Sequence, residues 1–169
     1  MNNTSVRGTA ANAVGYTGVV TLYQKINSKK HIIARVHNEG RVPLFNFLAD
    51  CLAGDFDVAK ADRPTKIMLL NENEEAGTRE RAGSSSFIYL LTKPERVYSA
   101  TEGIVRYSFL IPPEALIGAE CNAIGLYNAT ASEADLDDYA AHCVIDLANK
   151  SFSLSSVLLI DWELHISNR

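Results

Sequence analysis

The segment Ser156 to Ser167 most constrains the fold of this chain. Leu158, Ile160, Trp162, Leu164 and Ile166 recur at every second position, with Leu159, Asp161, Glu163 and His165 between them. Strict alternation over this length specifies a strand with one buried face, because successive side chains of a strand point to opposite sides. Ile104 to Ile111 repeats the pattern, with Val105, Tyr107, Phe109 and Ile111 on one face and Arg106 and Ser108 on the other. Two such strands need a sheet and a second layer to cover it.

Further strands are expected along the chain. Thr17–Gln24 and Ile32–His37 flank the turn Asn27-Ser28-Lys29-Lys30, which reads as one or two residues longer than the tightest hairpin loops. Lys66–Leu70, Phe87–Leu91, Val97–Ala100, Cys121–Tyr127 and His142–Leu147 are short apolar or β-branched runs bounded by turn residues. Gly125, inside one of them, signals a bulge or a close backbone approach. One segment changes period. Leu44, Phe47, Leu48, Cys51 and Leu52 follow helical spacing, with Pro43 at the start and Gly54 past the end. The expected fold is mostly β, an antiparallel, jelly-roll-like β-sandwich with one amphipathic helix near residues 42–53. Residues 1–16 read as an extended N-terminal arm and 17–169 as a single domain. Asp55–Arg63, Asn71–Ser86 and the acidic stretch around 131–139 read as polar loops.

Composition narrows the function. The chain has 169 residues, a net charge of −4 and 47% hydrophobic residues. That is enough to bury a core and too acidic for general phosphate-backbone binding. The clusters Lys29-Lys30-His31 and Arg79-Glu80-Arg81 read as solvated turns. Cys51, Cys121 and Cys143 are odd in number and lack metal or disulfide spacing, so buried reduced thiols are expected. No secretory leader or 18-residue apolar run is visible, so the sequons at Asn2, Asn128 and Asn149 carry no weight.

Chemistry is sparse. No phosphate-cradling or nucleophile-elbow motif stands in the chain. Asp161, Glu163 and His165 share one strand face and suit a metal, but a solvated or inter-subunit face is preferred. Glu133, Asp135, Asp137 and Asp138 alternate nearly as calcium ligands do, without the glycine and glutamate that an EF-hand loop requires. Cys51 belongs to the apolar stripe, and Cys143 points away from its neighbour His142, so neither reads as a nucleophile. Trp162 reads as core. Glu39 and Arg41 read as ordinary surface charges. No catalytic, cofactor-binding or metal residue is assigned, no cofactor is expected, and the chain reads as non-enzymatic.

The order of these features resembles a family of phage structural modules found in tail fibres, collars and baseplates. The resemblance rests on His37-Asn38-Glu39-Gly40 before a helix ending Leu52-Ala53-Gly54. It continues through Pro64-Thr65-Lys66-Ile67-Met68-Leu69, Ala123-Ile124-Gly125-Leu126-Tyr127 and Lys150, and closes with Leu158 to Asn168. The chain departs from that pattern in Ala123-Ile124, where the family carries a glutamate. It departs again in Asn71-Glu72-Asn73-Glu74-Glu75, where the family is glycine-rich. The resemblance implies a virion protein assembled in a host bacterial cytoplasm: an adaptor, docking or decoration subunit of tail, collar or capsid. Its partners would be other virion proteins and copies of itself, with no nucleic acid and no membrane. Residues 1–16, 71–86 and 131–139 are the expected contact segments. The alternative is a carbohydrate- or receptor-binding sandwich using Tyr98, Tyr127 and Tyr139 against a host surface glycan.

Overall fold

A computed structural model describes residues 14–73, 75–82, 88–89, 95–98, 102–117, 121–132, 135–145, 147 and 150–168. The elements run β1 (Val14–Ile26), β2 (Lys29–Gly40), α1 (Val42–Ala53), α2 (Phe56–Asp62), β3 (Pro64–Asn73), β4 (Thr78–Arg81) and β5 (Ile88–Tyr89). They continue with β6 (Glu95–Tyr98), β7 (Glu102–Ile111), a 3-10 turn at Pro113–Ala115, β8 (Ala123–Asn128), β9 (Ala141–Val144) and β10 (Val157–Asn168). The chain is mostly β, arranged as two antiparallel sheets.

The first sheet has the order β2-β1-β10-β7-β6 and the second β9-β8-β3-β4, with β5 also on β3. β2 belongs to both. Most of it pairs with β1, while Glu39 and Gly40 pair with His142 and Ala141 of β9. A strand that passes between sheets in this way makes a corner of the sandwich. The alternation read in the sequence becomes rows of core side chains. Val20, Trp162 and Tyr107 stand in register across β1, β10 and β7, as do Leu22, Ile160 and Phe109. They meet Ile67, Leu69, Ile124, Leu126, Ala141 and Cys143 from the second sheet in one core. Trp162 is fully buried, as expected.

The β1–β2 turn is tighter than expected. Ile26 pairs with Lys29, leaving only Asn27 and Ser28 in the loop, both at positive φ of 48° and 68°. That conformation matches the twist of the flanking strands and outweighs its cost at a serine. The extra residue is Ile33 of β2, skipped where the register slips opposite Leu22 and Tyr23 of β1.

Two segments read as loops, and the end of the expected arm, have more structure. Phe56–Asp62 forms a short helix whose N-cap Asp55 accepts a hydrogen bond from the Val58 amide. Asn71–Asn73 prolong β3 and pair with β4, so this part of the 71–86 segment is a hairpin. Residues 74 and 83–86 lie outside the described residues. So do 1–13 of the expected arm, whereas Val14–Tyr16 already pair with Ile166–Asn168 as strand.

Candidate functional site

Two features stand out: a polar cleft at the corner between the sheets and an apolar surface on the helices.

The cleft builds on a second, smaller core. On the outer side of the second sheet, Met68, Leu70, Ala123 and Tyr127 are buried beneath Tyr139, Leu136 and Ala131. Residues 129–132 and 135–140 therefore fold onto the sheet, not into solvent. Tyr127 donates from its hydroxyl to Leu136 O, and Lys66 donates from Nζ to Ala131 O, at 2.8 and 2.7 Å. At Gly125 the register runs on without a bulge, and the close neighbour is a side chain, not a backbone: the Tyr127 ring fills the space beside its Cα.

Beside this cover lies a cavity of about 430 Å³ lined by His37, Arg41, Glu72, Arg79, Tyr139, His142, Cys143 and Val144. Arg79 of β4 donates hydrogen bonds to Glu72 of β3 and Asp137 of the covering loop, and its guanidinium stands 4.8 Å from the Tyr139 ring centre. Arg41 approaches the same ring at 5.4 Å. His142 stacks on Tyr139 at 4.6 Å, and its Nε2 stands 2.8 Å from Glu72 Oε1, off the line of a hydrogen bond. Burial holds the His142 pKa below the ordinary histidine value. Glu72 pulls it back up, and Arg79 and Arg41 push it down. Burial also works against the Arg79 charge, but the Glu72 hydrogen bond, the electrostatics of neighbouring Tyr139 and Glu72 and the Asp137 bond hold its pKa above the ordinary value. The cluster is a clasp: Arg79 fixes the covering loop to the hairpin. Arg79-Glu80-Arg81 is thus a strand, and Arg79 is not a solvated turn residue.

The residues singled out in the sequence fall as follows. Two of the three expected contact segments, the hairpin and the 135–139 loop, meet through Arg79. Tyr127 and Tyr139 are buried, so neither presents a ring face to a sugar. The Tyr98 side chain and Glu133 lie outside the described residues. Asp161 accepts from Ser108 Oγ at 2.7 Å. Glu163 accepts from Arg106 Nη2 at 2.6 Å and stands 3.1 Å from His165 Nε2. These carboxylates are engaged across the outer face of the first sheet, and the described residues hold no grouping of three metal-ligating side chains. The pKa of Glu163 lies below the ordinary value. Burial opposes that shift, and the Arg106 and His165 hydrogen bonds outweigh it. Burial pushes the Cys121 thiol up to about 12 and raises Cys143 further. Cys51, expected buried, is only half-buried.

The apolar surface follows from the composition of α1. Of its twelve residues, only Asn46 and Asp50 are polar. One face carries Leu44, which is fully buried in the core, with Phe47 and Leu48 packed against it. Burying one such leucine contributes roughly 1.5–3 kcal/mol. The other face carries Val42, Phe45, Ala49 and Leu52 and points to solvent. Leu52 is 90% and Val42 69% exposed. Leu52, read in the sequence as part of the core stripe, therefore lies outside it. Gly54, at a φ of 80°, turns the chain sharply into α2, where Phe56 is 72% exposed. This face shares the i, i+3, i+7, i+10 spacing of a helical stripe. The sequence carried that signal, but the stripe leading through Leu44 answered the same test and eclipsed it.

No family model matches the chain, and comparison with curated proteins and with solved structures returns no match. Among the described residues, no helix is long and apolar enough to cross a membrane.

Proposed function

We propose that this chain is a non-enzymatic structural subunit of a phage virion, an adaptor, docking or decoration unit of tail, collar or capsid that assembles through symmetric protein–protein contacts. The observation that carries the reading is the exposed apolar surface of Val42, Phe45, Leu52, Phe56 and Val58 on the two helices. A helix apolar on all sides is normally buried on all sides. Large apolar side chains left exposed together on two consecutive helices mark an interaction site. The ordered motifs that resemble tail-fibre, collar and baseplate modules give the partner class. The polar clusters also favour a structural role, because their charges are engaged with one another across strands and loops.

The sugar-binding alternative loses two of its three aromatics to burial. An antibody against the chain tests the main reading on particles released by a bacterial culture carrying its gene. Regular labelling of purified particles is the expected result. Recovery of the chain only in the soluble fraction, with unlabelled particles, overturns the reading.

A further inference from the structure

We propose that the solvent face of α1 is a two-fold interface with a second copy of this chain, the two α1 helices packing antiparallel. This rests on the structural-subunit reading and names the partner for one of its surfaces.

Three observations select a second copy. The first is the shape of the stripe. Val42, Phe45, Ala49 and Leu52 are spaced symmetrically about position 47. In an antiparallel pair, Val42 of one copy meets Leu52 of the other, and Phe45 meets Ala49. Large sides face large sides at the ends, and the ring enters the space over the alanine near the centre. A two-fold interface requires such self-complementarity.

The second is charge. The N-cap of α1 is Arg41, and its first turn holds no acidic residue. Its last turn holds no basic residue, and Asp50, Asp55 and Asp57 cluster at that end. The helix dipole adds positive character at the start and negative at the finish. The two ends of α1 thus differ in charge, with Arg41, whose guanidinium also stands over the Tyr139 ring, at the start and carboxylates at the finish. An antiparallel copy sets the Arg41 end of one helix against the Asp50–Asp57 end of the other. A parallel arrangement would oppose like ends.

The third concerns one competing occupant, the segment 1–13. The segment 1–13 precedes β1, which begins near α1, since Tyr16 packs edge-on against Phe45 with ring centres 6.1 Å apart. Its apolar residues are Met1, Val6 and three alanines. That set is too small to cover Leu52 and Phe56 together.

The test is light scattering coupled to gel filtration on the full chain, on Ala49→Glu and on Leu52→Glu. Both positions are exposed, so the monomer keeps its fold, which the Trp162 fluorescence spectrum checks. The expected result is an even-numbered oligomer for the natural sequence, halved in mass by either variant. An oligomer that both variants leave intact overturns the α1 interface while leaving self-assembly in place. A natural chain that is monomeric at every concentration also overturns the interface. Labelling of particles then judges the virion reading separately.

Discussion

The ring of Tyr127 lies over Gly125, its Cε2 atom 2.6 Å from the point where a Cβ at position 125 would stand. A side chain tip usually moves aside for such an intrusion. Tyr127 has no room, because it is fully buried and its hydroxyl is tied to Leu136 O. Gly125→Ala should therefore destabilise the protein by about 1–3 kcal/mol, the range for overpacking. Urea denaturation followed by fluorescence of Trp162, the only tryptophan, measures this. Adding Tyr127→Leu to Gly125→Ala should cost less than the sum of the two single changes. Full additivity would show that the ring is not the obstacle.

What was legible in the sequence was local. The bounds of α1 were readable because Pro43 and Gly54 punctuate an apolar run, and β10 because five apolar residues alternate without a break. α2 escaped because seven residues form too short a run for a helical stripe to register. The tight β1–β2 turn escaped because Asn-Ser lacks the glycine that usually accepts positive φ. The clasp was out of reach, since Glu72, Arg79, Asp137 and His142 are brought together only by pairing β3 with β4 and folding the covering loop over both. Exposure of Leu52 and burial of Tyr139 likewise depend on which side of an element the rest of the chain covers.

Arg79 should matter more than its surface position suggests. Arg79→Ala leaves the nearly buried Glu72 carboxylate without its main cation and frees the covering loop. A loss of about 2 kcal/mol is expected, less than the full cost of breaking a buried pair because Arg79 remains partly solvated. Asp137 is largely exposed, so Asp137→Ala should cost well under ~1 kcal/mol. Hydrogen exchange at residues 135–140 supplies the second readout. It should rise in the Arg79 variant and change little in the Asp137 variant.

His142 should make the protein weaken in mild acid. It is faced by Glu72 from β3, Arg79 from β4, Arg41 from the start of α1 and Tyr139 from the covering loop, with His37 of β2 on the same cavity. Its folded pKa is depressed, chiefly by burial, so the unfolded chain binds a proton more readily than the folded one. The stability it contributes is present above the unfolded value of about 6.5 and is lost as pH falls through the lower folded value. Glu163 acts in the same direction in a more acidic window, because its depressed pKa removes stability below the ordinary carboxylate range. Urea midpoints at pH 7.5 and 5.5 should fall more for the natural chain than for His142→Gln. Equal slopes in the two proteins would show that His142 does not titrate with folding.

The three thiols should separate into one reactive group and two closed ones. Cys121 and Cys143 are buried, and burial holds both far above the thiol range in which a thiolate forms at neutral pH. Cys51 is half-buried on α1. Burial and then the neighbouring Asp50 charge raise its pKa, which slows it without closing access. Reaction of the folded chain with an aromatic disulfide reagent should consume one thiol per chain slowly, and all three quickly after unfolding in urea. Cys51→Ser should abolish the native phase. Two reactive thiols in the folded state would mean that the strand carrying Cys143, or the segment leading into β8 at Cys121, opens far more often than its packing implies.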